Sequence, residues 1–353
     1  MIILKAYTFL KTIFLIGFIS LTISACSSDV NNLEEVIGYQ IVENKITYNG
    51  NPVQLIGANT LQSFGVGSQD LVSWNLDIAR EFVGNIKENP VSGAPILDAN
   101  NQWLHSLEAI VAENRANNLI TILCSFGWDG TTENLFTGKK PTETFFYSDF
   151  KNQLELWAET FKDQNDVWIE VWNEPYRLDR ADGYTDAIWL SDMTELYQLV
   201  RSKTSSIILI PCAEQGQDES VLINFGSTFL SGKANVLFDI HAYEKWLLES
   251  EDNMYQRLTA LTNKKLPIFF GEIAPVNSGV LMNPNPLLEL LSDSGISLTA
   301  WLWKYDEDDQ DALLTKDGTP NNVNNNNWGS SYKSLAIRER SPKNANENKI
   351  KNQ

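Results

Sequence analysis

The sequence predicts an α/β fold, a (β/α)8 or TIM barrel with an N-terminal β-hairpin, and three observations support this prediction. Eight short apolar runs rich in β-branched residues follow one another along the chain, as the buried strands of a parallel sheet do. Amphipathic helical patterns separate them, which is the alternation that βα units produce. Removal of a 25-residue leader would leave 328 of the 353 residues, a natural size for one large barrel.

The hairpin is expected first. Tyr39–Val42 and Lys45–Tyr48 flank a Glu-Asn turn, and the pair would cover one end of the barrel. The alternation is weakest after the first barrel strand, where residues 63–74 leave room for only a short helix. The eight barrel strands are expected at Val53–Gly57, Asp77–Gly84, Ile120–Ser125, Trp168–Asn173, Ile207–Pro211, Val236–His241, Pro267–Gly271 and Ser297–Trp303.

Three of the helices are predicted from apolar side chains that recur on one face. The last helix is expected at Gly329–Arg338. The three apolar faces comprise Trp103, Leu104, Leu107, Ile110 and Val111; Phe150, Leu154, Ala158 and Phe161; and Trp189, Met193, Leu196 and Val200.

The first residues have the features of an export signal. Lys5 and Lys11 precede the apolar run 12–23, and the sequence Ile-Ser-Ala-Cys that ends at Cys26 resembles a bacterial lipobox, whose cysteine is lipidated. We therefore expect a lipid anchor at Cys26, and Ser27 after it favours the outer membrane in the lipoproteins that it resembles. A plain transmembrane helix is the alternative, although the apolar run is short for a span.

The predicted organisation contains one catalytic domain. The order is a signal peptide at 1–25, a polar tether at 26–36, the barrel at 37–340 and a disordered tail at 341–353. The net charge of −18 argues against binding of nucleic acid or of anionic membrane surfaces. It fits an exported enzyme, expected to be a monomer, that acts on a neutral polysaccharide or oligosaccharide.

Cysteine and histidine are scarce. Once Cys26 carries lipid, only Cys124 and Cys212 remain, each at the end of a predicted strand, so we expect two barrel-wall thiols rather than a disulfide. His105 and His241 are the only histidines, which argues against a histidine-rich metal site. No cofactor and no metal are expected.

The stretch VWIEVWNEPY, residues 167–176, ends a predicted strand on an amide and a carboxylate, Asn173 and Glu174. Both groups desolvate poorly, so their place at a strand end points to chemistry. A second acid, Glu272, ends the predicted seventh strand. Two such carboxylates can face each other across a barrel mouth, as glycoside hydrolysis requires. A charged residue in a solvated turn is the alternative for Glu174.

Further polar and aromatic residues end other predicted strands, where barrel enzymes gather their catalytic groups. They are Asn59 on the first strand, Arg80 on the second, His241 and Tyr243 on the sixth and Trp301 on the eighth. Structural alternatives stay open for them. Arg80 would neutralise Glu170 inside the barrel, the His-x-Tyr pair would belong to the core, and one of Trp301 and Trp303 must point outward.

Taken together, the chain resembles glycoside hydrolase family 5, the cellulase family of retaining (β/α)8 enzymes, over about residues 39–335. The fourth-strand motif WNEP of that family is matched by Trp172–Pro175. Its seventh-strand pattern of proline, apolar residues and Gly-Glu is matched by Leu266–Glu272. The second-strand arginine, the sixth-strand His-x-Tyr and the eighth-strand tryptophan are matched by Arg80, His241, Tyr243 and Trp301.

The resemblance implies that Glu174 is the acid/base, Glu272 the nucleophile and Asn173 the residue that holds the 2-hydroxyl of the sugar. Physical chemistry agrees with these roles, because Arg80 beside Glu272 would keep that carboxylate ionised. We expect the supporting hydrogen bonds and the flat face for a pyranose from Tyr243, His241 and Trp301.

One position departs from the family pattern. Family members commonly carry a histidine after the third strand, whereas this chain has Phe126 near that place, followed by Trp128 and Asp129. We expect these residues to influence which sugar is cut, and we expect Trp128 and Asp129 to take over the missing sugar contact. The match near Asn59 is also loose, which again concerns the substrate more than the reaction.

The function predicted from these residues is that of a retaining endo-acting β-glycanase that cuts β-1,4-linked glucan through a covalent glycosyl-enzyme. A β-mannanase and an exo-acting β-glycosidase are the alternatives within the class. A non-catalytic glycan-binding surface lipoprotein, or one that serves envelope structure, is the alternative from another class. The acid pair argues against it, because binding alone needs no pair of carboxylates.

Overall fold

The computed structural model describes residues 37–61, 67–305 and 307–338. The expected signal peptide, Cys26, the tether up to residue 36 and the tail from 341 lie outside these described residues. The chain begins with a three-stranded antiparallel sheet formed by β1 (Tyr39–Val42), β2 (Lys45–Tyr48) and β3 (Asn51–Pro52). The predicted hairpin is thus confirmed, with Tyr39 opposite Tyr48.

A closed barrel of parallel strands forms the body of the protein, and its strands neighbour one another in sequence order. The last strand pairs with the first, Leu298 opposite Ile56, which closes the barrel. The strands are β4 (Ile56–Thr60), β5 (Ile78–Val83), β8 (Ile120–Ser125), β9 (Val167–Glu170), β10 (Ile208–Pro211), β11 (Val236–Ala242), β12 (Ile268–Ile273) and β15 (Leu298–Ala300). The predicted (β/α)8 fold is confirmed.

Helices follow the strands and cover the barrel. The connection after β11 holds two of them, and the helix after β4 is short, as the sequence predicted. The helices are α1 (Ser68–Val72), α2 (Leu107–Ala116), α3 (Tyr147–Thr160), α4 (Asp186–Arg201), α5 (Ser220–Leu230), α6 (Glu244–Leu247), α7 (Glu251–Asn263), α8 (Asn285–Ser294) and α9 (Trp328–Ala336).

Two small antiparallel hairpins lie in the connections that follow two of the barrel strands. The first, β6 (Ile96–Leu97) with β7 (Trp103–Leu104), lies between β5 and α2. The second, β13 (Val276–Asn277) with β14 (Val280–Leu281), follows β12. Both follow the carboxyl end of a barrel strand, where barrel enzymes build their sites.

The first strand begins three residues later than predicted. Val53 and Leu55, expected inside it, instead pack against the hairpin residue Ile46 in a cluster below the strand. Strand β9 ends at Glu170 rather than at residue 173; Val171 N still donates to Leu209 O of β10, and from Glu174 onward the chain exchanges backbone hydrogen bonds with the loop at 136–139.

Two further boundaries differ from the prediction. Helix α2 begins only at Leu107, since Ser106 caps it by accepting a hydrogen bond from Ala109 N at 3.2 Å. Trp103, predicted on its buried face, lies in β7 and is exposed. Strand β15 is also shorter than predicted, ending at Ala300.

The interior of the barrel is apolar at the end where the strands begin. Its cluster includes Leu55, Ile78, Trp168, Leu237 and Phe269, and the hairpin covers it from below, with the Tyr39 ring 5.7 Å from that of Trp168. A second and larger cluster fills the layer between strands and helices. We call the first cluster, inside the barrel, the apolar plug. It fills the end where the strands begin and leaves the opposite mouth of the barrel free for polar groups.

Both remaining cysteines, Cys124 and Cys212, are buried free thiols, as predicted. Within the described ranges, no helix has both the length and the apolar character that crossing a bilayer requires.

The apolar plug should carry much of the stability of the barrel. Phe269→Ala removes a fully buried ring and leaves a cavity, so we expect the free energy of unfolding to fall by about 3–5 kcal/mol in urea denaturation. The matched control is Leu156→Ala, whose side chain on α3 is 46% exposed and should change stability by less than about 0.5 kcal/mol. Similar losses in both variants would contradict this account of the core.

Candidate active site

Strand alternation explains why polar side chains meet at the barrel mouth. Successive residues of a strand point to opposite faces, so Arg80 lies two residues above the buried plug residue Ile78, and Glu170 lies two above Trp168. On β11, Asp239 and then His241 continue the inward face. Apolar residues thus fill the bottom of the barrel and a charged cluster lies directly above them.

Arg80 is the centre of this cluster and is completely buried. Its guanidinium binds Glu170 with two hydrogen bonds, Nε to Oε2 at 2.7 Å and Nη2 to Oε1 at 2.8 Å. Nη1 donates to Glu272 Oε1 at 2.8 Å and to Asn59 Oδ1 at 2.6 Å. The alternative that Arg80 pairs with Glu170 and the prediction that it lies beside Glu272 are therefore both correct.

Glu272 is held from several sides. Its Oε2 accepts a hydrogen bond from the Tyr243 hydroxyl at 2.5 Å, while its Oε1 is bound by Arg80. Asn59 supports the strand that carries it, since Nδ2 donates to Gly271 O at 2.7 Å and to Ala300 O at 2.9 Å. With both carboxylate oxygens engaged, the side chain is fixed in position.

Glu174 lies on a loop with a constrained backbone. Its φ of 49° is in the left-handed region that side chains other than glycine rarely adopt. The conformation is held by hydrogen bonds from Gly138 N to Glu174 O at 2.8 Å and from Tyr176 N to Lys139 O at 2.9 Å. The indole of Trp172 adds a bond to Phe136 O at 3.1 Å.

His241 connects the two acids. Its Nδ1 lies 2.9 Å from Glu174 Oε1 and 3.5 Å from Glu272 Oε2. A carboxylate oxygen of Glu174, one of Glu272 and a ring nitrogen of His241 all lie within 4.8 Å of one another. The two strand-end carboxylates that the sequence singled out therefore face each other at short range.

A tight turn after β10 supports the imidazole. Gly216 has a φ of 76° and lies against the ring, so that a Cβ added there would be 2.6 Å from His241 Cγ. The backbone N–H of His241 donates to Gly216 O at 2.7 Å. Only glycine fits this position, because both the backbone conformation and the space exclude a side chain.

In this cluster, burial and the neighbouring charges shift the pKa values in opposite directions. Burial raises the pKa of Glu272 above its ordinary value, and the nearby Arg80, His241 and Tyr243 counteract this only in part. For His241, burial disfavours the imidazolium, but Glu272, Asp239 and Glu174 together raise the pKa well above its ordinary value. Arg80 thus does favour the ionised form of Glu272, as predicted, while the buried setting works against it.

Asn173 also points into the cluster. Its Oδ1 accepts from Arg80 Nη2 at 3.1 Å, and the thiol of Cys124 lies 3.6 Å from the same atom. Its Nδ2 is 3.4 Å from the hydroxyl of Thr137. The amide is therefore oriented by Arg80, in contact with the same guanidinium as Glu272.

The cluster also contains groups with the spacing of metal ligands. Glu170, Asp239 and His241 offer atoms within 4.8 Å of one another. The Arg80 guanidinium already lies 2.7 Å from Glu170 and 3.7 Å from Asp239. A permanent positive charge thus occupies the place that a cation would need, so these residues do not suit a metal ion.

Aromatic rings form one wall of the mouth. Trp301 is half-buried, and its ring centre lies 4.7 Å from that of Phe82 and 6.3 Å from that of Phe126. Phe82 also lies under Arg80, with 4.8 Å between ring centre and guanidinium carbon. Trp303 points away and packs on Trp74, which agrees with the expectation that one of the two tryptophans faces outward.

Trp128 does not join this wall. The sequence predicted a substrate contact, but its ring stacks on Phe146 at 5.3 Å, is only 6% exposed and belongs to the core between strands and helices. Asp129 binds its own loop through Thr131 and Asn134. The backbone turn after Phe126 directs these side chains away from the mouth, which residue type alone does not reveal.

Two residues of the site were not found from the sequence. Phe82 follows Arg80 by two positions and Asp239 precedes His241 by two, so strand periodicity would have placed both on the inward face. Asp239 Oδ1 accepts from Gly271 N at 2.6 Å, and a Cβ at Gly271 would lie 2.2 Å from its carboxylate. The glycine before Glu272 is therefore required by this contact.

Comparison with known proteins agrees with this geometry. The model of the cellulase family, glycosyl hydrolase family 5, matches residues 47–307. No protein of curated function matches the sequence.

Solved structures of similar fold include mannanases and an endoglucanase. The catalytic domain of a Streptomyces sp. SirexAA-E mannanase has 17% identity and a TM-score of 0.66, covering 88% of this chain and 96% of its own. A Thermomonospora fusca β-mannanase has 16% identity and a TM-score of 0.66, covering 84% and 97%. The catalytic domain of a Thermobifida fusca endoglucanase has 17% identity and a TM-score of 0.61, covering 85% and 97%. On the family match, the chain belongs to glycosyl hydrolase family 5 and is a glycoside hydrolase.

Proposed function

We propose that this glycoside hydrolase is a retaining, endo-acting β-1,4-glycanase in which Glu272 is the nucleophile and Glu174 the acid/base. The observation that carries the proposal is the pair of facing carboxylates, with oxygens within 4.8 Å of each other. Retaining enzymes place their two carboxyl groups about 5–5.5 Å apart, whereas inverting enzymes leave room for a water at about 6.5–9.5 Å. The separation here favours direct attack by a carboxylate.

The surroundings of the two acids suit different tasks. Glu272 receives hydrogen bonds on both oxygens, from Arg80 and from Tyr243, which orients it and favours the anion that attacks. Glu174 is partly exposed, and among the described residues its carboxylate is hydrogen-bonded only to His241, through Oε1, so Oε2 is available to a leaving group. This asymmetry separates the nucleophile from the proton donor.

The reaction then proceeds in two displacements. Glu272 attacks the anomeric carbon and forms an ester bond, while Glu174 gives its proton to the glycosidic oxygen as the bond to the leaving sugar breaks. In the second step Glu174 takes a proton from water, the water oxygen bonds to the anomeric carbon, and the ester electrons return to Glu272. In this proposal Asn173 holds the 2-hydroxyl and Trp301 covers the apolar face of the ring.

The first substrate that we propose is β-1,4-glucan, and β-1,4-mannan is the second candidate. Mannan is favoured by the mannanases among the structural neighbours, one of which was solved with mannohexaose. Contacts with Phe82 and Phe126 in the aromatic wall would distinguish glucose units from mannose units.

A panel of carboxymethyl cellulose, mixed-linkage glucan, glucomannan and galactomannan tests the proposal. Release of reducing ends with a rapid fall in viscosity is expected on at least one polymer. Binding without turnover on every polymer would instead support a non-catalytic glycan-binding lipoprotein.

Removal of the nucleophile should give a diagnostic product. We expect Glu272→Ala to lower kcat by at least about 10⁴-fold while the protein still folds, because the ester cannot form. Azide or formate should then partly restore cleavage of an activated aryl glycoside, with inverted configuration at the anomeric carbon by NMR. Retention of configuration in the rescued product would remove Glu272 from this role.

Loss of the acid/base should depend on the leaving group. For Glu174→Ala, we expect turnover of polysaccharide to fall about 10²–10⁴-fold, whereas a dinitrophenyl glycoside, which needs no proton to depart, should be slowed far less in its first step. The two rates are compared by pre-steady-state and steady-state assays. Equal losses on both substrates would contradict the assignment.

The pH dependence of kcat/KM should change when the hydroxyl of Tyr243 is removed. Its hydrogen bond lowers the pKa of Glu272, so Tyr243→Phe should raise that pKa. Because the nucleophile acts as an anion, the acidic limb of kcat/KM should move to higher pH, by about one unit, and activity should be lost first at low pH. Tyr255→Phe on the exposed face of α7 is the control, and an unmoved acidic limb in the Tyr243 variant would be evidence against the contact.

A further inference from the structure

A cavity of about 450 Å³ lies beside the active site, between the connections that follow β5 and β8. It contains neither catalytic acid, but it shares Phe82 and Phe126 with the aromatic wall next to Trp301. Its volume is within the range of about 300–1,000 Å³ that is usual for small-molecule sites. The cavity therefore adjoins the catalytic mouth across a shared aromatic wall and is large enough for a ligand of its own.

The lining combines an apolar floor with a polar rim. Phe82, Val83, Phe126 and Leu135 form the floor. The rim carries amides and hydroxyls, from Asn89, Asn100, Gln102, Thr131 and Thr132. Such a combination suits a pyranose, which has an apolar ring face and a circumference of hydroxyl groups.

One buried amide faces the cavity without a partner. Asn85 is 3% exposed and lines the cavity, and among the described residues its Nδ2 has no hydrogen-bond partner. Its Oδ1 is used, since it accepts from Glu88 N at 3.2 Å. A buried donor without a partner is unfavourable, and an acceptor supplied by a ligand would satisfy it.

A glycine of the loop after β8 lies against this amide. A Cβ at Gly130 would lie 3.3 Å from Asn85 Nδ2, and the φ of 73° disfavours any side chain there. A side chain at position 130 would therefore press on the amide that carries the donor.

A large aromatic side chain stands at the entrance. Trp103 on the β6–β7 hairpin lines the cavity and is 57% exposed, and Leu97 beside it on β6 is also exposed. An indole exposed beside a cavity offers a flat apolar face on which a sugar ring can stack.

The charges around the cavity exclude an anionic ligand. Glu81 and Asp98 are acidic, and His105 is the only basic side chain among the described lining residues. A uronic acid or a phosphate would be repelled, while a neutral sugar would not.

We propose that this cavity is an accessory subsite that binds one neutral sugar ring of the glycan, stacked on Trp103 and hydrogen-bonded by Asn85. The inference rests on the proposed glycanase function and extends it. The bound ring comes either from the main chain, beyond the sugar that is cleaved, or from a branch attached to it. In both cases the same ring face and hydroxyl groups are recognised.

Calorimetric binding to the inactive Glu272→Gln protein tests the subsite without turnover. The probes are linear cello- and manno-oligosaccharides of two to six units and galactosyl-branched manno-oligosaccharides. Trp103→Ala should weaken binding about tenfold for the ligands that reach the cavity, and Trp103→Phe should restore most of it. Asn85→Asp, which keeps the acceptor for Glu88 N and removes the donor, should weaken the same ligands several-fold.

The control is Tyr255→Ala, because this ring is 58% exposed on α7 and does not line the cavity. If affinity depends on Trp103 only beyond a certain chain length, the ring belongs to the main chain; if only for branched ligands, it belongs to a branch. If Trp103→Ala binds every ligand as Tyr255→Ala does, the subsite is refuted even where the enzyme hydrolyses polysaccharide. Binding that depends on Trp103 in a protein without hydrolytic activity would overturn the glycanase function and leave the subsite standing.

Discussion

The hydrogen bonds of the buried Arg80 guanidinium are the interaction on which the active site depends. A single planar group contacts Glu170 with two bonds and also binds Glu272, Asn59 and Asn173, which come from three different barrel strands or their ends. Lysine would not replace it, because an ammonium lacks the fixed fork that serves several acceptors in one plane. Removing the guanidinium would leave several buried carboxylates without a counter-charge, which is much more destabilising than losing a surface pair.

The loops around Arg80 fix the positions of Glu174 and His241. Glu174 is held in a left-handed backbone conformation by the neighbouring loop at 136–139, and His241 rests on the glycine turn at Gly216. Backbone strain of this kind persists only where the surroundings determine the conformation, and each such residue costs about 1–3 kcal/mol. The stability of the apolar plug and of the helix layer makes that strain tolerable at the mouth.

Much of this arrangement was accessible from the sequence, and the reasons are specific. Strand order, the hairpin and the facing acids followed from periodicity and from motifs with fixed places on the strands. Trp128 was misplaced because the direction of a side chain after a strand end depends on loop backbone, not on residue type. Val53 was predicted as the first residue of the first barrel strand but lies in the apolar plug. An apolar run is compatible with both positions, so the sequence does not distinguish them. Phe82 and Asp239 were missed although alternation from Arg80 and His241 would have found them.

The charge balance of the cluster bears on the proposed reaction. Around Arg80 lie three buried carboxylates, Glu170, Asp239 and Glu272, and Asp239 Oδ2 has no hydrogen-bond partner among the described residues. Glu272, Asp239 and Glu174 raise the pKa of His241 despite its burial, and burial raises the pKa of Glu170 to about 7. Glycoside cleavage passes through a transition state with positive charge at the anomeric carbon. Fixed carboxylate oxygens beside the reacting sugar stabilise that charge more than they stabilise a neutral substrate, so the geometry of the cluster favours the transition state over the substrate.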